Sequence, residues 1–198
     1  MKTQPITLPQ FFDVVLDLDN TLIHSPNTTE CVDPDNIGNF KPVRTLTYIT
    51  YLRPYLTEFL TYVMKNLRLS IWTAGDAEYA RAILANILPP NCGTPYIVFA
   101  RDAVQACEAE TGHHKLLAWV GHGQWLVNPI IIDDRPDVYA SQPANAYLIP
   151  PFSVTDTKQA WKDNELLQLT EYLKQHALKY TPPAQTGPLR TLYPNRDN

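Results

Sequence analysis

Two short apolar runs carry most of the information in this chain. Asp13 to Ile23 reads Asp-Val-Val-Leu-Asp-Leu-Asp-Asn-Thr-Leu-Ile, and Pro129 to Asp134 reads Pro-Ile-Ile-Ile-Asp-Asp. Both lack polar alternation, which suits strands buried on both faces, and both end in carboxylates. Between and beyond them the pattern alternates in type. Val43 to Leu52, rich in Thr, Tyr and Ile, predicts a strand. Pro54 then predicts the first turn of a helix carrying Leu56, Phe59, Leu60, Val63, Met64 and Leu67 at helical spacing. Leu69 to Thr73 predicts a strand, Gly75 a turn, and Asp76 the N-cap of a helix with Ala80, Ile83, Leu84 and Ile87 on one face. Pro89-Pro90-Asn91 ends that helix. Tyr96 to Ala100 reads as a short strand and His114 to Val120 as a short helix closed by Gly121. Asp163 caps a last helix with Leu166, Leu169 and Leu173 on one face.

Strands alternating with helical segments predict an α/β fold built from parallel βαβ units, a doubly wound Rossmann-like sheet flanked by helices. The polar, proline-bearing stretch from His24 to Lys41 reads as a loop across the mouth of a site, and the Pro-rich, polar residues 179–198 as a tail after a domain of residues 1–178. No internal repeat is visible.

At 198 residues and 44% hydrophobic content, one well-packed domain is expected. The net charge of −4, with scattered Lys and Arg, gives no footprint for direct nucleic-acid binding. No segment reaches signal-peptide or membrane-helix character, so a cytoplasmic or nuclear protein is expected, without a membrane partner and as a monomer. Cys31, Cys92 and Cys107 are too few and too dispersed for a disulfide framework. Cys107, His113, His114 and His122 lack the spacing of a zinc site, and surface histidines explain them better.

Carboxylates at a strand's C-terminal end lie where open α/β sheets bind ligands, and clustered acids call for a cation or a chemical task. Each residue also has a plainer reading. Asp17 and Asp19 could belong to a turn after a strand, Thr73 could be an ordinary β-branched strand residue, and Lys115 a solvated surface lysine.

Taken together, Asp17-Leu-Asp-Asn-Thr-Leu-Ile-His24, Arg53-Pro-Tyr-Leu-Thr-Glu-Phe-Leu60, Ile71-Trp-Thr-Ala74 with Tyr79-Ala80, Lys115, Ile131-Ile-Asp-Asp-Arg-Pro136 and Asn145-Ala-Tyr-Leu-Ile-Pro150 resemble, in order and spacing, the FCP/SCP-type phosphatases. These are members of the haloacid dehalogenase superfamily that act on the C-terminal domain of RNA polymerase. The resemblance spans about residues 11 to 177. It implies a haloacid-dehalogenase-like fold with little or no cap domain, and hydrolysis of phosphomonoesters through an aspartyl-phosphate. Phosphoserine or phosphothreonine in a phosphoprotein or phosphopeptide is the implied substrate.

By the same resemblance Asp17 is the nucleophile and Asp19 the general acid and base. Thr73, Ala74 and Lys115 bind phosphate. Asp17, the Asp19 main-chain carbonyl and Asp133 hold Mg²⁺, with Thr21 and Asp134 in support, and Tyr79 lines the substrate groove. Charge makes the same demand for a cation: a phosphate dianion beside Asp17, Asp133 and Asp134 has only Lys115 to offset it. Arg53-Pro54 reads as architectural, a helix start. The chain departs from the family at Asn20, where Glu is usual, and at Gly75-Asp76, which replace a more apolar pair near the groove. A small-molecule or nucleic-acid-end phosphatase on the same scaffold, and a catalytically silent phosphopeptide-binding scaffold, are the alternatives. The acids and lysine present argue against the last.

Overall fold

The structure, a computed structural model, describes residues 12–26, 40, 42–44, 48–121 and 126–179. Most of the expected loop between His24 and Lys41, Cys31, His122 and the expected tail beyond residue 179 lie outside the described residues. In chain order the elements are β1 (Asp13–Leu16), β2 (Ile23–His24), β3 (Val43–Arg44), β4 (Ile49–Leu52), α1 (Leu56–Asn66), β5 (Arg68–Trp72), α2 (Ala77–Ile87) and β6 (Val98–Phe99). They continue with α3 (Arg101–Thr111), α4 (Leu117–Gly121), β7 (Ile130–Asp133), α5 (Pro136–Ser141), β8 (Ala146–Leu148), α6 (Thr157–Ala160) and α7 (Glu165–Lys179).

Five strands form a parallel sheet in the order β6-β5-β1-β7-β8. β1 lies at its centre with all four residues buried, which accounts for its unbroken apolar run. Side chains alternate across the sheet. Val14 and Leu16, Leu69 and Ile71, and Ile130 and Ile132 face one side, where they pack with the buried stripes of α1, α2 and α7. Val15, Trp72 and Ile131 face the other and meet Val104 and Cys107 of α3, Leu117 and Val120 of α4 and Val138 of α5. The sheet is therefore covered on both faces, as a doubly wound fold requires.

Several sequence expectations change. Val43 to Leu52 is two strands, not one: β3 pairs antiparallel with β4 through Val43↔Thr50 and Arg44↔Ile49. β4 pairs with β2, giving a second, three-stranded sheet. A β-branched, aromatic-rich stretch supports one long strand or a hairpin equally, and the partner strand decides. Pro54 lies before α1 rather than in its first turn, because Tyr55 holds φ 65 and helical backbone starts only at Leu56. Arg53 is more than a helix start. Buried, it donates to the Thr21 carbonyl at 2.9 Å, the Pro150 carbonyl at 2.8 Å and the Asp163 carboxylate at 2.9–3.2 Å. It thereby ties the loop after β1 to the closing segment and to the start of α7. Asp163 also caps α7 as expected, accepting from Glu165 N at 3.1 Å.

Candidate active site

Three of the singled-out residues stand at adjacent strand ends. Asp17 follows β1, Thr73 follows β5 and Asp133 ends β7. β1 is where the chain's excursions switch from the β5–β6 side of the sheet to the β7–β8 side, the position at which such sheets open a crevice. Lys115, on the loop between α3 and α4, closes this crevice. Its Nζ donates to Asp17 Oδ1 at 2.6 Å and to Asp133 Oδ2 at 2.8 Å, and its side chain is 1% exposed. It is no surface lysine. Asp133 Oδ1 accepts from Arg135 N at 3.0 Å, so both its oxygens are engaged. Carboxylate oxygens of Asp17, Asp133 and Asp134 lie within 4.8 Å of one another.

Charge does not balance in this group. Three carboxylates share one ammonium. Burial, opposed by Lys115 and reinforced by Asp133 and Asp19, pushes the Asp17 carboxyl up to about 7. Asp134 is raised by burial and then by Asp133. Burial works against the Lys115 charge, but Asp17 and Asp133 outweigh it and raise the ammonium above its usual range. The oxygens converge, they carry surplus negative charge and one edge of the group is half-buried at Asp134. This is a donor set that fits a hard divalent cation.

Asp19 belongs to a different set of contacts. Its carboxylate accepts a hydrogen bond from the Tyr79 hydroxyl. That hydroxyl lies 3.0 Å from Ser25 Oγ, which lies 2.8 Å from Thr50 Oγ1. Burial raises the Asp19 carboxyl, and the Tyr79 bond offsets part of the rise. Tyr79, expected on the groove wall, is 8% exposed; Tyr48, stacked edge-on at 4.9 Å between ring centroids, is the exposed aromatic of the pair. Thr73 is fully buried and its Oγ1 accepts from Gly75 N at 3.0 Å. Ala74 is exposed, and its carbonyl accepts from Arg101 Nε at 3.2 Å. Thr21 is buried with its Oγ1 lacking a partner among the described residues.

The two departures from the family pattern have local causes. Asn20 adopts φ 58, a left-handed conformation that asparagine tolerates better than most residues, while its N–H donates to Ile23 O and its carbonyl accepts from Phe152 N. Gly75 makes room for Tyr79: a Cβ there would sit 2.4 Å from Tyr79 Cδ1. Asp76 caps α2 by accepting from Tyr79 N at 2.8 Å.

Ser25, Thr50 and Arg101 were not singled out in the sequence, since hydroxyls in polar stretches and a lone arginine carry no local signal. Cys107 and His114 do not converge on a metal. Cys107 lies in the core with Sγ accepting from Leu116 N at 3.3 Å, and His114 faces Glu108 at 3.7 Å. No helix among the described residues is long and apolar enough to cross a membrane.

A family model described as NLI interacting factor-like phosphatase matches residues 12–182. The chain is 29% identical to the CTD phosphatase-like protein 355R of invertebrate iridescent virus 6, over 83% of this chain and 98% of the viral protein. It is 33% identical to an RNA polymerase II C-terminal domain phosphatase of Caenorhabditis elegans, over 64% of this chain but 19% of that protein. Among solved structures, the fission yeast RNA polymerase II CTD phosphatase Fcp1 bound to beryllium fluoride shares the fold. Its TM-score is 0.61 at 18% identity, covering 86% of this chain and 63% of that one.

Proposed function

Since the chain belongs to the NLI interacting factor-like phosphatase family, we propose that it is a magnesium-dependent phosphatase that hydrolyses phosphomonoesters through an aspartyl-phosphate, with phosphoserine and phosphothreonine in proteins as substrates. The observation that carries this reading is the buried Lys115 bridging Asp17 and Asp133 inside an acidic group that it cannot neutralise alone.

An Asp17 oxygen attacks phosphorus, the ester P–O bond breaks, and Asp19 gives its proton to the leaving oxygen. Asp19 then takes a proton from a water, which attacks the phosphorus and frees Asp17. Lys115 stabilises charge on the transferred group in both steps, and Thr73 and the Ala74 backbone hold its oxygens. Magnesium, held by Asp17, Asp133 and the Asp19 carbonyl with Asp134 beside them, would neutralise phosphate charge and keep Asp17 ionised. The protein substrate is favoured by the surface next to the site. Tyr48 and Ile49, where β4 begins, are exposed, and the Tyr48 ring lies 4.9 Å from that of Tyr79, which meets Asp19. An extended peptide gains binding area there, and a small metabolite does not.

Hydrolysis of p-nitrophenyl phosphate should require Mg²⁺ and stop in excess EDTA; unchanged turnover in chelator refutes the metal assignment. Beryllium fluoride should inhibit. In a panel of phosphopeptides, sugar phosphates and nucleotides, kcat/KM should be highest for phosphoserine or phosphothreonine peptides. A metabolite hydrolysed far better than every peptide would assign the protein to small-molecule chemistry.

A further inference from the structure

A groove wall needs the ring of Tyr79, but nothing in that role uses its hydroxyl. Yet the hydroxyl is the most constrained part of the residue. It donates to Asp19 Oδ1, and with its one proton so committed it can only accept from Ser25 Oγ at 3.0 Å. Ser25 in turn can accept from Thr50 Oγ1 at 2.8 Å, on the fully buried Thr50 of β4. The chain of hydroxyls therefore runs in one direction, from the small sheet to the carboxylate. Two further features serve the same placement. The absent side chain at Gly75 leaves space that a Cβ would contest at 2.4 Å from the Tyr79 ring, and Asp76 fixes the Tyr79 backbone through its N–H.

We infer that Tyr79 is the positioning residue for Asp19: its hydroxyl, oriented by Ser25 and Thr50, engages Oδ1 and leaves Oδ2 as the oxygen that delivers and retrieves the proton. This rests on the proposed phosphatase mechanism, in which the Asp19 proton passes to the leaving oxygen as the ester P–O bond breaks. A free carboxylate rotates about its terminal torsion through a broad range, and a fixed donor on one oxygen removes that freedom. Lys115 holds the carboxylates of Asp17 and Asp133; Asp19, outside that bridge, is held by the tyrosine.

The test separates this role from a groove wall by using substrates too small to reach a groove. Wild type, Asp19→Asn, Tyr79→Phe and Gly75→Ala are assayed with Mg²⁺ on phenyl phosphate, p-nitrophenyl phosphate and 2,4-dinitrophenyl phosphate. A poor leaving group needs the proton and an activated one does not. Tyr79→Phe, which keeps the ring, should lose about tenfold or more in kcat on phenyl phosphate and about twofold or less on the dinitrophenyl ester, with KM little changed. The graded loss should parallel the larger one in Asp19→Asn, and Gly75→Ala should reproduce it by displacing the ring. Thermal melts establish that each variant is folded. A loss in Tyr79→Phe that is equal on all three esters, or confined to KM, overturns the positioning role while leaving the acid assignment intact. Should Asp19→Asn itself show no dependence on the leaving group, the acid assignment fails and the positioning role falls with it.

Discussion

The two ends of β1 carry one buried aspartate each, and only one of them belongs to the candidate site. At the N-terminal end, Asp13 is fully buried, yet Arg68 meets it with two N–H groups, the second at 2.6 Å, and Val127 N donates to it as well. Tyr96 covers the guanidinium, its ring centroid 4.1 Å away. One carboxylate faces one cation with its lone pairs engaged, a structural tie between β1, β5 and the segment before β7. At the C-terminal end, Asp17 shares a single lysine with Asp133 and has Asp134 beside it. Burial is common to both ends. What separates them is neutralisation, and a surplus of carboxylate charge identifies a site where burial alone does not.

Exchanging each aspartate for its amide sharpens that contrast most. Asp17→Asn should lower kcat by about 10⁴-fold or more, as loss of a nucleophile does. Its melting temperature should hold or rise, because a repelling charge has gone. Asp13→Asn should do the reverse. It should keep activity within a few fold and lose about 1–3 kcal/mol of stability in urea titrations, since Arg68 is left short of an acceptor. Comparable activity losses in both variants would erase the distinction between the two ends.

Next in size, Lys115→Met removes the ammonium bridging Asp17 and Asp133. It should cost about 3–5 kcal/mol in EDTA, the usual penalty for stripping one partner from a buried ion pair, and should abolish turnover. Added Mg²⁺ should recover part of the stability but none of the activity. If the metal restores no stability at all, these carboxylates do not bind it.

The most gradual effect is the pH dependence of the metal-free protein, spread over several pH units. Folding raises the Asp17 carboxyl from its ordinary 3.8 to about 7, so the native state binds more protons than the unfolded chain between those values. The contribution is fully present below pH 3.8 and is lost as pH rises toward 7, at up to about 1.4 kcal/mol per pH unit. Urea titrations from pH 4 to 8 in EDTA should show this decline, and Mg²⁺ or Asp17→Asn should flatten it. A slope unchanged in Asp17→Asn would assign the titration to another group.

The main sheet was legible because β1, β5 and β7 are buried on both sides and their residues say so one by one. α2 was legible from Asp76 and its apolar stripe. α3 was not, since only Val104 and Cys107 of its residues are buried hydrophobics, too sparse for a periodic signal. α5 and α6 are too short to show a period, and β8 was hidden in the closing segment. In the site, Asp17 and Asp133 were marked by the runs they terminate, whereas His-His-Lys-Leu around Lys115 reads as surface until the fold buries it.

By itself, then, the sequence determined which strands are central, which carboxylates end them and, through ordered motifs, the family. Tertiary structure decided what each charge meets. Asp13 finds Arg68, Asp17 finds Lys115, and Asp19 finds Tyr79, each partner remote in the chain. Periodicity reports only whether a position is buried. Whether a buried charge is satisfied, shared or held ready for a proton depends on electrostatic and hydrogen-bond partners within a few ångströms, and the folded arrangement alone supplies those distances.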